Sequence, residues 1–155
     1  MEQKTFAERS GISGYLELRR GEPTALDAAP NFYYQVTGKV TLGVGLDYRF
    51  FFGARDSLAT RADQSGRLGM RAYMEYQLPM MLYLHLEYEH NDYRVGQDFE
   101  STDFPSTADE HYVGIGRDFG LKGRWRTSFL LLYNLSQDDF SPNRNRWTVR
   151  WGFKM

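Results

Sequence analysis

The chain contains no cysteine. It therefore has no disulfide framework, no thiolate metal site and no cysteine nucleophile. It also lacks long apolar runs. The longest, Leu78 to Leu84 and Phe129 to Tyr133, fall far short of the roughly 18 residues of a spanning helix. An excess of one charge sign is missing too: 19 Lys and Arg stand against 20 Asp and Glu. That balance excludes a nucleic-acid binder working through bulk positive charge. No apolar leader opens the chain, since Met1-Glu2-Gln3-Lys4 runs straight into Thr5-Phe6-Ala7-Glu8-Arg9. The expectation is a cytosolic chain or one whose secretory leader has been removed, and the pattern that follows favours the second.

What is present is aromatic and alternating. Tyr and Phe number 11 each in 155 residues, a length that suits a single domain. The mean hydropathy of −0.60 is that of an ordinary soluble protein. That average hides a period of two. In Val40–Phe52 the even positions are Val40, Leu42, Val44, Leu46, Tyr48, Phe50 and Phe52. The odd ones are Thr41, Gly43, Gly45, Asp47, Arg49 and Phe51. A strand with one apolar face reads this way, whereas a helix would scatter the set round its surface. The same alternation marks Glu8–Arg20, Asn31–Thr37, Arg67–Leu78, Met81–His90, Glu110–Phe119, Arg124–Leu135 and Arg146–Met155. Connections alternate as well. Those at 37–39, 79–81 and 120–123 are short, and those at about 21–30, 53–66, 91–109 and 136–145 are long and polar. Short turns at one end and long loops at the other predict an all-β, eight-stranded, antiparallel up-and-down barrel filling residues 1–155, with 1–7 as an N-terminal tail.

Alternation alone fits two barrels. A soluble one puts its apolar face inside, and a transmembrane one turns that face to lipid. The polar face decides. It carries Glu17, Arg19, Asp47, Arg49, Arg67, Arg71, Glu75, His85, Glu87, Glu89, Asp118, Arg126, Arg146, Arg150 and Lys154. It also carries Gly43, Gly45, Gly69, Gly114, Gly116 and Gly152. Glycine weakens a solvated strand face, but in a narrow lumen it makes room for a long side chain from elsewhere in the wall. The apolar face bears aromatics toward both strand ends. Phe32, Tyr48, Phe50, Tyr88, Tyr133 and Trp147 lie toward the long loops, and Tyr76, Phe119, Trp125, Trp151 and Phe153 toward the short turns. Two such girdles mark the two interfaces of a bilayer. The reading is therefore a transmembrane barrel. Arg117 falls on the lipid face by parity, near the short-turn end, where snorkelling or a bulge would accommodate it.

On these residues the chain resembles the small eight-stranded outer-membrane barrels of Gram-negative bacteria, of the outer membrane protein A and outer membrane protein X type. Its end, Trp147-Thr148-Val149-Arg150-Trp151-Gly152-Phe153-Lys154-Met155, is similar to the terminal strand that the outer-membrane assembly machinery reads, although such strands usually end in Phe or Trp. The resemblance implies a monomer in the bacterial outer membrane, with short turns and termini in the periplasm and long loops outside. The bilayer and its lipopolysaccharide would be its partners.

Function is less legible. The lumen cations counted by parity outnumber the anions by eight to six, and near balance favours ion pairs that plug the barrel. The expected lumen network is Glu17, Arg19, Asp47, Arg49, Arg71, Glu75, His85, Glu87, Asp118, Arg126 and Arg150. The alternative is a narrow channel. A third reading comes from lipid A acyltransferases and deacylases, which share the scaffold; such chemistry needs a nucleophile beside a base. The histidines are His85, His90 and His111; none has a Ser two residues away on one strand, so no enzyme, cofactor or metal is expected. Loop 91–109 is acidic, with Asp92, Asp98, Glu100, Asp103 and Asp109 against Arg94. It also holds Tyr93, Phe99 and Phe104, which suits either a solvated loop or a cation-bridged surface contact. Its spacing matches no EF-hand. A structural or surface-interaction role through the long loops is the leading expectation.

Overall fold

A strand with one charged and one apolar face leaves both edges bonded only if its sheet closes on itself. In the computed structural model this sheet does close. Residues 5–19, 24–52, 67–92, 107–120, 125–136 and 146–155 are described. The strands are β1 (Ser10–Arg19), β2 (Thr24–Gln35), β3 (Val40–Phe52), β4 (Arg67–Gln77), β5 (Leu82–Asp92), β6 (Thr107–Gly120), β7 (Arg126–Asn134) and β8 (Trp147–Lys154). Each bonds its sequence neighbour antiparallel, and β8 returns to β1 with Lys154–Trp151 opposite Ser13–Leu16. Met155 N–H extends that seam by donating to Ile12 O at 2.9 Å. The result is an eight-stranded, closed, up-and-down barrel.

The stagger follows from the registers. Partners of Ser10 run through Tyr34, Leu42, Met74, Leu86, Val113 and Tyr133 to Trp147. The β8–β1 register sets Trp151 opposite Leu16, which brings Trp147 level with position 20, an offset of ten residues. Such an offset tilts the strands strongly and leaves an interior that side chains can fill.

Several boundaries differ from the sequence reading. Residues 24–30, assigned above to a connection, belong to β2. Weakly apolar Ala25, Ala28 and Ala29, with Pro30 among them, hid the strand. Pro30 has no N–H to give the ladder, and bridges to β3 stop at Ala28 and resume at Asn31 in unchanged register. Strands β5 and β6 reach to Asp92 and from Thr107, shortening the span read as loop 91–109 to 93–106. The tail read as 1–7 includes the start of one helical turn, α1 (Phe6–Arg9). Thr5 caps it, its N–H donating to Glu8 Oε2 at 2.7 Å, and Phe6 stacks on Tyr34 with centroids 5.3 Å apart. The rest of the spans read as connections, 21–23, 53–66, 93–106, 121–123 and 137–145, lies outside the described residues.

The faces separate almost completely in charge, with Arg117 and the rim residue Asp109 as outward exceptions. Inward side chains are odd-numbered on β1–β5 and even-numbered on β6–β8, and they are buried along most of their length. Outward ones are largely aliphatic or aromatic and exposed. Four interior tyrosines lie opposite a glycine on the neighbouring strand: Tyr15–Gly152, Tyr33–Gly11, Tyr73–Gly43 and Tyr83–Gly116. A Cβ at Gly43 or Gly116 would overlap the facing phenol ring. These glycines are therefore the sockets into which the phenols fit.

Candidate functional site

The buried chemistry is concentrated in the barrel interior. Strand β5 contributes Tyr83, His85, Glu87, Glu89 and Asn91, all on one face because of the two-residue period. Facing them are Arg71, Tyr73 and Glu75 from β4, Tyr15 and Glu17 from β1, and Arg150 from β8.

Arg150 is the hub, with 1 % of its surface exposed. Its Nε donates to Glu17 Oε2 at 2.8 Å and its Nη2 to Glu89 Oε1 at 2.7 Å. Its Nη1 donates to Glu87, and its guanidinium lies 5.3 Å from the Tyr112 ring centre. Arg71 shares the same carboxylates. Its Nη2 is 3.0 Å from Glu89 and 3.3 Å from Asp47, and its Nη1 is 3.6 Å from Glu87. Two guanidinia thus clamp two glutamates from opposite sides, which compensates desolvation that would otherwise cost several kcal/mol per ion.

Toward the short turns, His85 sits between two carboxylates. Its Nε2 is 3.1 Å from Glu87 Oε2 and its Nδ1 3.4 Å from Glu75 Oε1. Glu75 also accepts from Tyr15 OH at 3.0 Å and Lys154 Nζ at 2.7 Å. Lys154 lies 3.8 Å from Asp118 and 4.6 Å from the Tyr83 ring centre. Toward the long loops, Arg49 grips Asp27 with two bonds of 2.6 and 2.7 Å. Glu110 accepts from Tyr112 OH at 3.0 Å, Asn91 Nδ2 at 3.2 Å and Asn134 Nδ2 at 3.3 Å. Beside the charges is an apolar wall of Leu130 and Leu132, both fully buried with Tyr15, Tyr83 and Tyr112. The sequence reading of β7 had passed over these two.

Glu17, Asp47, Arg49, Arg71, Glu75, His85, Glu87, Asp118 and Arg150 all lie in the interior. Arg126 is exposed at the short-turn mouth, opposite Gly120 and Lys154. Arg19 stands opposite Ala25 on β1, and its side chain lies outside the described ones. The balance of cations over anions does not hold among the described residues. Asp27, in the part of β2 read as a connection, and Glu110, the first residue of the strand read as Glu110–Phe119, add buried carboxylates that the parity count leaves out. Arg146 precedes β8, escapes its parity, and donates Nη1 to the outward Tyr133 OH at 3.2 Å. Buried carboxylates therefore outnumber Arg49, Arg71, Arg150 and the half-buried Lys154.

The girdle residues Phe50, Tyr76, Tyr88, Trp125, Tyr133, Trp147, Trp151 and Phe153 all lie on the outer surface. Several are tied together: Tyr133 packs edge-on against Trp147 at 5.0 Å, and Trp151 stacks on Phe129 at 6.2 Å and donates Nε1 to Thr127 Oγ1 at 2.5 Å.

A second cluster at the long-loop rim was missed. Tyr88 OH donates to Asp109 Oδ1 at 2.9 Å, and His90 Nδ1 approaches the same oxygen at 2.6 Å. The backbone N–H of His111 donates to Ser136 Oγ at 2.9 Å, and His111 Nδ1 is 3.4 Å from that oxygen. Parity could have put Tyr88, His90, Asp109 and His111 on the outer face, but only the β5–β6 register brings them together. Among the described residues no group of three or more His, Asp or Glu is arranged to hold a metal ion. No helix among them is long and apolar enough to cross a membrane, a statement that does not bear on strands. Compared with models of protein families and with curated proteins, the chain matches none.

Proposed function

We propose that this chain is an integral outer-membrane β-barrel. Its lumen is plugged by the Arg150–Arg71–Glu87–Glu89 cluster, and its role is structural or exerted through surface contacts of its long loops. The observation that carries this reading is the inverted polarity: aliphatic and aromatic side chains cover the outside while carboxylates and guanidinia fill the inside. A soluble protein avoids so continuous an apolar exterior, and a bilayer requires one, with every backbone bond satisfied by closure. The two girdles support a span between two interfaces. The barrel would reside in the bacterial outer membrane as a monomer, with lipopolysaccharide as its outer-leaflet neighbour. Its final strand would engage the assembly machinery.

Refolding into detergent or vesicles, followed by gel migration with and without boiling, tests the closed membrane barrel. The unboiled form is expected to migrate differently from the boiled one, and the refolded sample to give only small, intermittent single-channel currents. A stable monomer in plain buffer would overturn the membrane reading. Steady conductance on the order of a nanosiemens would replace the plug with an open channel.

The Ser136–His111 contact favours a second reading, a hydrolytic site for outer-leaflet lipid esters, because a hydroxyl beside an imidazole is the minimal activated nucleophile. The weightier role of Ser136 Oγ is to accept the His111 N–H where the β6–β7 ladder ends. Turnover of an acyl ester that Ser136→Ala abolishes would establish the enzyme, and absence of any turnover would dismiss it.

A further inference from the structure

We propose that the outer surface around Arg117 binds an anionic glycerophospholipid, its phosphate on the guanidinium and one acyl chain in the adjoining groove; this rests on the bilayer reading above. Arg117 is in unbroken register with Leu82 and Phe129, so no bulge turns it inward. Away from the long-loop rim it is the only charged side chain that the described strand residues turn outward. No carboxylate among the described residues pairs with it; its guanidinium rests 5.3 Å from the Phe119 ring centre. A cation that snorkels to the edge of hydrocarbon without a protein counter-charge attracts an anionic headgroup. A phosphate supplies that charge in the planar, two-pronged geometry that arginine matches.

The groove beside it gives the orientation. It is an open depression of about 210 Å³ bordered by Leu82, Ile115, Phe129, Leu131 and Val149. Arg117, Phe129 and Trp151 form one register row, and Ile115, Leu131 and Val149 form a row two residues nearer the long loops. The cation therefore closes the short-turn end of an apolar trough that runs toward the middle of the wall. A lipid with its headgroup at the short-turn interface and its chain pointing to the midplane fits this polarity. Lipopolysaccharide, expected at the opposite end, does not.

The test uses Trp151 as a reporter, in a variant carrying Trp125→Phe and Trp147→Phe. The protein is refolded into vesicles of phosphatidylcholine and phosphatidylglycerol, with bromine on the tails of one lipid or the other. Brominated phosphatidylglycerol should quench Trp151 as if enriched about fivefold over its bulk fraction, the preference one basic side chain confers near a membrane surface. Arg117→Gln should return quenching to the bulk ratio while heat-modifiable migration stays unchanged. Equal quenching by the two lipids, or enrichment that survives Arg117→Gln, overturns the site and leaves the barrel reading intact. Failure of the wild-type chain to fold into any vesicle overturns both.

Discussion

Replacing Arg150 with Met keeps much of the side-chain volume and removes the charge at the centre of the lumen. Arg150 bonds Glu17, Glu87 and Glu89, and the side chains involved have at most 6 % of their surface exposed. Removing one partner of a buried ion pair typically costs about 3–5 kcal/mol, because the other charge is stranded. Here the lower end applies. Glu87 keeps Arg71 and His85, and Glu89 keeps Arg71 at 3.0 Å. A loss of about 3 kcal/mol, with a urea slope of roughly 2 kcal/mol per molar, lowers the unfolding midpoint by about 1.5 M. The assay is urea titration of the refolded protein in vesicles, read by tryptophan fluorescence and by the fraction migrating as folded barrel. Adding Glu89→Gln to Arg150→Met should restore part of the loss, since Arg71 then has one carboxylate fewer to compensate. A midpoint within about 0.3 M of wild type would refute the reasoning. It would mean that water reaches these groups and screens them as on a surface.

Three further outcomes follow from other parts of the wall. Leu86→Arg, at the outward middle of β5, should destabilise the vesicle-inserted barrel by about 2–4 kcal/mol; a neutral effect on urea stability would count against a lipid-facing wall. Leu130→Ala should cost about 2–5 kcal/mol by opening a cavity among Tyr15, Tyr83 and Tyr112, measured in the same titration; a loss below about 1 kcal/mol would mean that the site collapses around the smaller residue. Gly43→Ala should cost about 1–3 kcal/mol by pushing against the Tyr73 ring, and Tyr73→Leu in the same chain should recover part of it; strictly additive losses would dissolve the proposed socket.

How much of this was readable in the residues depended on whether a feature was local. The strand period, the odd–even faces and the outward aromatics need only one strand at a time, so Val40–Phe52 emerges with its boundaries intact and Arg67–Leu78 differs only in ending at Gln77. Residues 24–30 did not, because three alanines and a proline carry almost no hydrophobic contrast and the strand is held there by its neighbours. Asp27 looked like a loop acid for the same reason, until pairing across to Arg49 made it a lumen anion. The clamp of Arg150 and Arg71 on Glu87 and Glu89 joins strands far apart in sequence, and its geometry depends on the offset of ten residues round the barrel. Nothing in a single strand encodes that offset. The rim cluster of Tyr88, His90 and Asp109 was hidden likewise, since each residue alone is an ordinary outward side chain.

The interior also explains why such a chain needs specific ion pairs. In a soluble barrel, burial of an apolar core drives closure and can tolerate loose register, because any well-filled packing gains from it. Here the apolar residues face outward, and a hydrocarbon surround would take them up at many registers alike. Slipping a strand by one residue is forbidden by parity, but a slip of two keeps the outward leucines outside. What a two-residue slip destroys lies in the lumen. Tyr73 would leave Gly43 for Thr41 in one direction, or in the other for Gly45, whose space Asn31 already fills, and Arg49 would part from Asp27. The tyrosine–glycine sockets and the shared carboxylates therefore set register, while the outer face sets only which side is out. Paired variants test this division: outward Leu84→Val should leave the register unchanged, whereas exchanging Asp27 and Arg49 in sequence should preserve it and removing both charges should loosen it, read by cross-strand disulfide trapping between residues introduced at the facing positions Ala28 and Tyr48. If trapping yields are the same with both charges gone, the lumen pairs do not govern register.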